Sequence, residues 1–180
     1  MVILGVDPGT NNLGYAVLSI DHRTLQVLEH GVFRLRRMDS HQDKLYHIFK
    51  KIVEIIEQFN PAEMAIEAPF HGKNVQSMLK LGRAQGVAIA AALHKQISVQ
   101  EYSPKKIKLA VTGNGNASKE QVAAMVDQLV TTRIDKELLD ATDALATALC
   151  HHFQRKNILN GGQNFKGWEA FIKANPGRIK

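Results

Sequence analysis

The hydrophobic positions of this chain begin as short apolar runs and later settle into helical spacing. Met1 to Val6 is apolar and stops at Asp7. A Pro8-Gly9-Thr10-Asn11-Asn12 turn cluster follows, and Leu13 to Ile20 is apolar again. That pattern predicts a hairpin with an acid at the end of its inner strand. Leu25 to Leu35 predicts a third strand. From Ser40 the period changes: Leu45, Ile48, Phe49, Ile52, Val53, Ile56 and Phe59 recur at three and four, with Ser40 as N-cap and Asp43 at the third helical position. Asn60-Pro61 stops this helix, because a residue before proline is driven out of the helical region. Ala62 to Ile66 predicts a short strand, and Glu67 follows it, so a second acid lies at a strand end.

After the loop Ala68-Pro69-Phe70-His71-Gly72-Lys73, residues Asn74 to His94 predict a long helix rich in small side chains: Gly82, Ala84, Gly86, Ala88, Ala90 and Ala91. Such a surface suits close packing on a sheet or a subunit. Ile97 to Tyr102 predicts another strand, and Ser103-Pro104 opens a helix carrying Lys105, Lys106 and Lys108. Gly113 to Asn116 reads as a flexible loop, and Ser118 with Gln121 forms a capping box for the next helix. The last core helix is expected from about Lys136 to Phe153, with Leu138, Leu145 and Leu149 facing inward. Asp140 and Asp143 share another side of it, about 4.5 Å apart along the axis, so both can point at one site. Strands first, then strand and helix in alternation, predict an α/β fold: a mixed sheet flanked by helices.

Composition narrows the classes. At 180 residues, 44% hydrophobic and 22% charged, the chain has room for one ordinary domain with a core. Cys150 is the lone cysteine, which excludes an intrachain disulfide and a Cys-rich zinc cluster. The start MVILGVDPG reaches a charge too soon for a signal-peptide core, and the longest apolar stretch, Val87 to Leu93, is too short to span a bilayer. The expectation is a soluble, cytoplasmic protein.

The net charge of +6 is unevenly spread. Residues 1–67 carry 7 basic and 9 acidic side chains, 68–119 carry 8 and 1, 120–152 carry 2 and 6, and 153–180 carry 6 and 1. A basic block between acidic blocks that hold Asp7, Glu67, Asp140 and Asp143 fits a polyanion held beside a carboxylate site. Each acid alone has an ordinary reading: a turn residue, the start of a surface loop, an exposed polar stripe. Together they offer oxygen-only ligands suited to magnesium or manganese. Two such ions about 3.5–4 Å apart activate a water and stabilise the leaving oxygen at a phosphodiester. His151 and His152 suggest zinc, but His151 lies eleven residues from Asp140 on the same helix face, roughly 16 Å along the axis. They are expected to cap the helix C-terminus or to sit exposed.

Five separated blocks carry a family resemblance: Gly5-Val6-Asp7-Pro8-Gly9-Thr10 with Gly14; Ala65-Ile66-Glu67 with Phe70 and Lys73-Asn74; Lys80-Leu81-Gly82 with Gly86-Val87-Ala88; Gly113 to Gln121; and Asp140 to Ala146. In order, over residues 1–153, they resemble the RuvC family of bacterial Holliday junction resolvases. The resemblance implies a ribonuclease H-like fold with a mixed five-stranded sheet over residues 1–156, and a homodimer. It further implies magnesium-dependent paired nicking of a four-way DNA junction, with manganese able to substitute and two ions per subunit. Asp7, Glu67, Asp140 and Asp143 would be the metal-binding catalytic acids, and Phe70 the aromatic that stacks on bases. Lys73, Lys108 and Lys119 would contact DNA. The branch-migration proteins RuvA and RuvB stand as candidate partners. Residues 157–180 form a basic extension past the family core, with Trp168, Phe171 and Ile172 spaced like one face of a short helix or carried on a mobile arm.

Two rival readings exist. The Asp7-Pro-Gly-Thr turn with Gly14 also resembles the phosphate loop of actin-like phosphotransferases, but those need a second such domain, and 180 residues with one loop of this kind fall short. A non-catalytic junction-binding module would leave the four acids without a task.

Overall fold

The computed structural model describes residues 1–21, 24–69, 74–132 and 139–159, with side chains up to Arg155. Phe70, Lys73, the expected helix start at Lys136, Leu138 and the tail from residue 160 lie outside the described residues. The strands are β1 (Val2–Asp7), β2 (Asn12–Asp21), β3 (Thr24–Arg34), β4 (Glu63–Glu67) and β5 (Ser98–Tyr102). The helices are α1 (His41–Phe59), α2 (Val75–His94), α3 (Pro104–Thr112), α4 (Lys119–Leu129) and α5 (Leu139–Leu159). Among the described residues no helix is long and apolar enough to cross a membrane.

The five strands form one mixed sheet in the order β3-β2-β1-β4-β5. β1 is antiparallel to β2 and parallel to β4, and β4 is parallel to β5. The start signals read from the sequence hold. Ser40, Asn74, Ser103 and Ser118 are the N-caps of α1 to α4, each accepting from a backbone N–H three residues on, and Ser118 with Gln121 completes the capping box. Gly113 ends α3 at φ 76°, where a side chain would be strained.

Alternation along the strands divides the core in two. Leu4 and Val6 of β1, Leu13 and Val17 of β2, and Met64 and Ile66 of β4 face α1 and α2, meeting Ile48, Ile52, Ala84, Ala88 and Ala91. Ile3, Ala16, Leu18 and Ala65 face the other way, against α3, α4 and α5 through Ile107, Val122, Ala144, Leu145 and Ala148. Asp7 and Glu67 share the parity of Ile3 and Ala65, so both acids rise on the α5 side. The small residues of α2 divide likewise: Ala84, Ala88 and Ala91 are buried, whereas a Cβ on Gly82 or Gly86 would meet nothing within 4 Å.

The closest packing occurs elsewhere, beneath α5. A Cβ added to Gly5 would lie 2.1 Å from the Ala144 carbonyl oxygen, and one on Gly14 would lie 1.9 Å from that of Asp140. Only glycine admits a helix backbone so near a strand.

One expectation is corrected. His151 neither caps a helix nor sits exposed; it is 6% accessible and bonded through both ring nitrogens. Nε2 donates to the Glu63 carboxylate at 2.5 Å, and the Tyr102 hydroxyl, its pKa pushed up to about 12 chiefly by burial, donates to Nδ1 at 2.7 Å. Arg155 binds the other oxygen of Glu63. α5 continues past the expected Phe153 to Leu159, so its C-terminus lies two turns beyond His151. The ring lies under the helix because it shares the sheet-facing stripe of Ala144 and Ala148.

Candidate active site

β1 and β4 run parallel and adjacent, so their last residues, Asp7 and Glu67, emerge side by side at the same end of the sheet. α5 crosses above them with Asp140 and Asp143 in its first two turns. The close seat over Gly5 and Gly14 brings its acids to β1: carboxylate oxygens of Asp7, Asp140 and Asp143 all lie within 4.8 Å of one another. Glu67 stands outside that trio but shares with Asp7 and Asp143 a cavity of about 240 Å³. Pro104, Ile107, Val122 and Ala146 wall the cavity, and Lys108 and Lys119 line it.

Hydrogen bonds hold Asp140, Asp143, Lys119 and Lys108 in place. Asn12, the first residue of β2, donates from Nδ2 to Asp140 Oδ2 at 3.0 Å. Lys119, the first residue of α4, donates to Asp143 Oδ2 at 2.7 Å. Lys108 is anchored from α3 by donating to the Ala117 carbonyl at 2.8 Å. Of the other α3 lysines, Lys106 lies over the Tyr102 ring and Lys105 lies against Gly115. Neither lines the cavity.

Crowding of like charge under low solvation sets the electrostatics. The Asp7 carboxyl is pushed up to about 8, first by burial and then by Glu67, Asp143 and Asp140, with Lys119 opposing. Glu67 is pushed up to about 7 by burial and by Asp143, against Lys119 and Lys108. Lys119 is raised, chiefly by its hydrogen bond to Asp143. Carboxyls this reluctant to ionise lack enough positive charge nearby, and a divalent cation would supply it. The donors are oxygens alone, which suits a hard ion such as magnesium or manganese rather than zinc. The residues therefore fit a metal centre.

The structure brings together Asp7, Glu67, Asp140, Asp143, Lys108 and Lys119, six of the predicted residues. Sequence reasoning missed Asn12, which reads as one more turn residue after Pro8-Gly9; a polar residue at the start of the strand paired to β1 was the available signal. It also missed the Tyr102–His151–Glu63–Arg155 chain, which ties α5 to β4 and β5. Glu63 stands four residues before Glu67 on the same strand face, and nothing local marks it.

A profile of the family described as crossover junction endodeoxyribonuclease RuvC matches residues 3–151. The chain is 54% identical to the crossover junction endodeoxyribonuclease RuvC of Cytophaga hutchinsonii over 179 residues, covering 99% of this chain and 88% of that protein. It is 50% identical to the protein of the same name from Porphyromonas gingivalis over 183 residues, covering 99% and 97%. Among solved structures, Thermus thermophilus RuvC in complex with Holliday junction substrate superposes with a TM-score of 0.81 at 29% identity, covering 87% of this chain and 95% of that one.

Proposed function

The chain belongs to the RuvC family of crossover junction endodeoxyribonucleases and has its ribonuclease H-like fold, and from that premise we propose which residues, ions and assembly resolve a Holliday junction here. It is an endonuclease of DNA recombination and repair, and it uses a divalent metal. The observation that carries the proposal is the convergence of Asp7, Asp140 and Asp143 within 4.8 Å, beside Glu67 and between two lysines. Asp7, Glu67, Asp140 and Asp143 would hold two magnesium ions per subunit, with manganese able to replace them. Bound there, the ions would supply a Lewis acid and a water of lowered pKa.

The chain's own groups do the rest. The apolar wall of Pro104, Ile107 and Val122 lowers the solvation around Asp7 and Glu67, which strengthens charge interactions in the cavity. Asn12 fixes the rotamer of Asp140. Lys119 pairs with Asp143, and it and Lys108 line the same cavity, where their ammonium groups would stabilise charge on the scissile phosphate. Phe70 stacks on bases near the crossover, an interaction worth about 1–3 kcal/mol per base. Lys73 contacts the backbone nearby.

Nicking two opposed strands needs two such sites, and the homodimer supplies them. Supporting this is an exposed apolar stripe along α2, with Val75 65%, Leu79 52% and Leu93 57% accessible and Gly82 and Gly86 open between them. Residues 1–156 form the nuclease domain of a cytoplasmic enzyme on which the branch-migration proteins RuvA and RuvB dock.

The test is incubation with a synthetic four-way junction or a matched linear duplex, with magnesium. Symmetric nicks confined to the junction support the proposal, whereas no junction preference at any metal concentration overturns it. Asp7→Asn is expected to abolish nicking and keep junction binding, because it removes an ion ligand and no phosphate contact. Loss of both together would mark the site as structural, and retention of nicking would favour a centre elsewhere.

A further inference from the structure

The basic block of residues 68–119 does not lie on one surface. Lys108 and Lys119 enter the catalytic cavity on the α5 side of the sheet, but Lys80 lies on the opposite side. There a groove of about 430 Å³ opens between the starts of α1 and α2 and the β1–β2 turn. Lys44 of α1 and Lys80 of α2 line it from two elements, with the hydroxyls of Thr10, Ser40 and Ser77 between them.

We propose that this groove binds backbone phosphate of the junction, at a position separate from the scissile one, through Lys44, Lys80 and the Thr10 and Ser77 hydroxyls. The inference rests on the reading of the chain as a junction endonuclease and adds a second anchoring point to it.

Three observations carry the argument. The first is position. Thr10 and Asn11 line the groove while Asn12, the next residue, holds Asp140, so one short turn separates the groove from the metal-binding acids. A strand with its phosphodiester at Asp7 would have this turn beside it, at the same end of β1. The second is charge. Asp39 is the carboxylate among the lining residues; Asp43 lies outside that lining and accepts from the Ser40 hydroxyl at 2.6 Å. Among the described residues neither Lys44 nor Lys80 has an ion-pair partner. The His41 imidazole, also in the lining, is held below its ordinary pKa by burial and then by Arg83, Lys80 and Lys44, as expected where cations gather around a concave surface. The third is chemistry. Two ammonium groups flanked by hydroxyl donors match a phosphodiester, which presents charge and acceptors but no donor.

The experiment measures binding of the four-way junction and of a linear duplex as a function of salt, in calcium so that cutting does not interfere. The Lys44→Ala/Lys80→Ala variant is compared with Lys44→Arg/Lys80→Arg and with Lys50→Ala, a lysine of α1 paired with Glu54. Each lost phosphate contact lowers the log–log salt slope by about 0.9, so the double alanine variant should lose about 2 from the slope. Its junction affinity should fall roughly tenfold at 0.15 M salt, about threefold for each exposed pair. The arginine variant keeps the charge and should keep the slope, which separates loss of contact from loss of fold. An unchanged slope in the double alanine variant, or a drop matched by Lys50→Ala, overturns the proposal. So does an equal loss for junction and duplex, which would mark a general basic surface. If the unaltered protein itself shows no preference for the junction, it is the reading as a resolvase that fails.

Discussion

Replacing Gly14 by alanine should disable the metal centre without touching a charged residue. The added Cβ would stand 1.9 Å from the backbone oxygen of Asp140 and 2.5 Å from its carbonyl carbon. Those atoms belong to the first turn of α5 and have no rotamer through which to yield, so either α5 lifts or β2 bends. A tolerable separation is 3 Å or more, so the shift is on the order of 1 Å at Asp140, within a cluster whose oxygens now lie within 4.8 Å. A misplacement of about 1 Å in a catalytic constellation costs roughly 100-fold in rate. Overpacking costs about 1–3 kcal/mol, which for a chain of this size lowers Tm by roughly 2–12 °C. The assays are single-turnover junction nicking at saturating magnesium, manganese binding by calorimetry, and thermal denaturation. Nicking and metal affinity within twofold of the unaltered protein, with an unchanged Tm, would refute the argument that the seat of α5 over Gly14 assembles the acids.

Three further expectations concern protonation, the buried histidine and assembly. Burial and mutual crowding push Asp7 up to about 8 and Glu67 up to about 7, from ordinary values of 3.8 and 4.5, so between these limits the folded state binds more protons than the unfolded one. Their stabilisation is fully present below about pH 4 and lost as pH rises through 8; in chelator, Tm should therefore fall from pH 5 to pH 8, and magnesium should flatten that slope. A Tm that rises over this range in chelator would contradict the charge crowding. Tyr102→Phe leaves His151 Nδ1 buried without a partner and should cost about 1–3 kcal/mol in denaturant titration; a loss below 0.5 kcal/mol would mean that the Tyr102–His151 bond does not hold α5. Leu79→Glu puts a charge into the exposed stripe of α2 and should shift sedimentation from dimer to monomer, while an unaltered dimer would place the subunit contact elsewhere.

Much of this protein was legible along the chain, because the rules involved act over short range. A capping serine meets an N–H three residues on, helical spacing repeats within two turns, and a strand end shows as an apolar run stopped by Asp7 or Glu67. The i,i+3 placement of Asp140 and Asp143 is likewise local, as are the blocks by which the family is resembled. The tertiary structure decided what no neighbour determines. The sheet order put β1 beside β4, and so Asp7 beside Glu67. Gly5 and Gly14, which look like ordinary strand glycines, became the seat of α5. Asn12 found Asp140 across 128 positions, and His151 found Glu63 across 88. The single basic block divided between two faces of the sheet. Such pairings depend on which elements pack together and how closely, and that is set by the burial of two whole faces of the sheet rather than by any stretch of sequence.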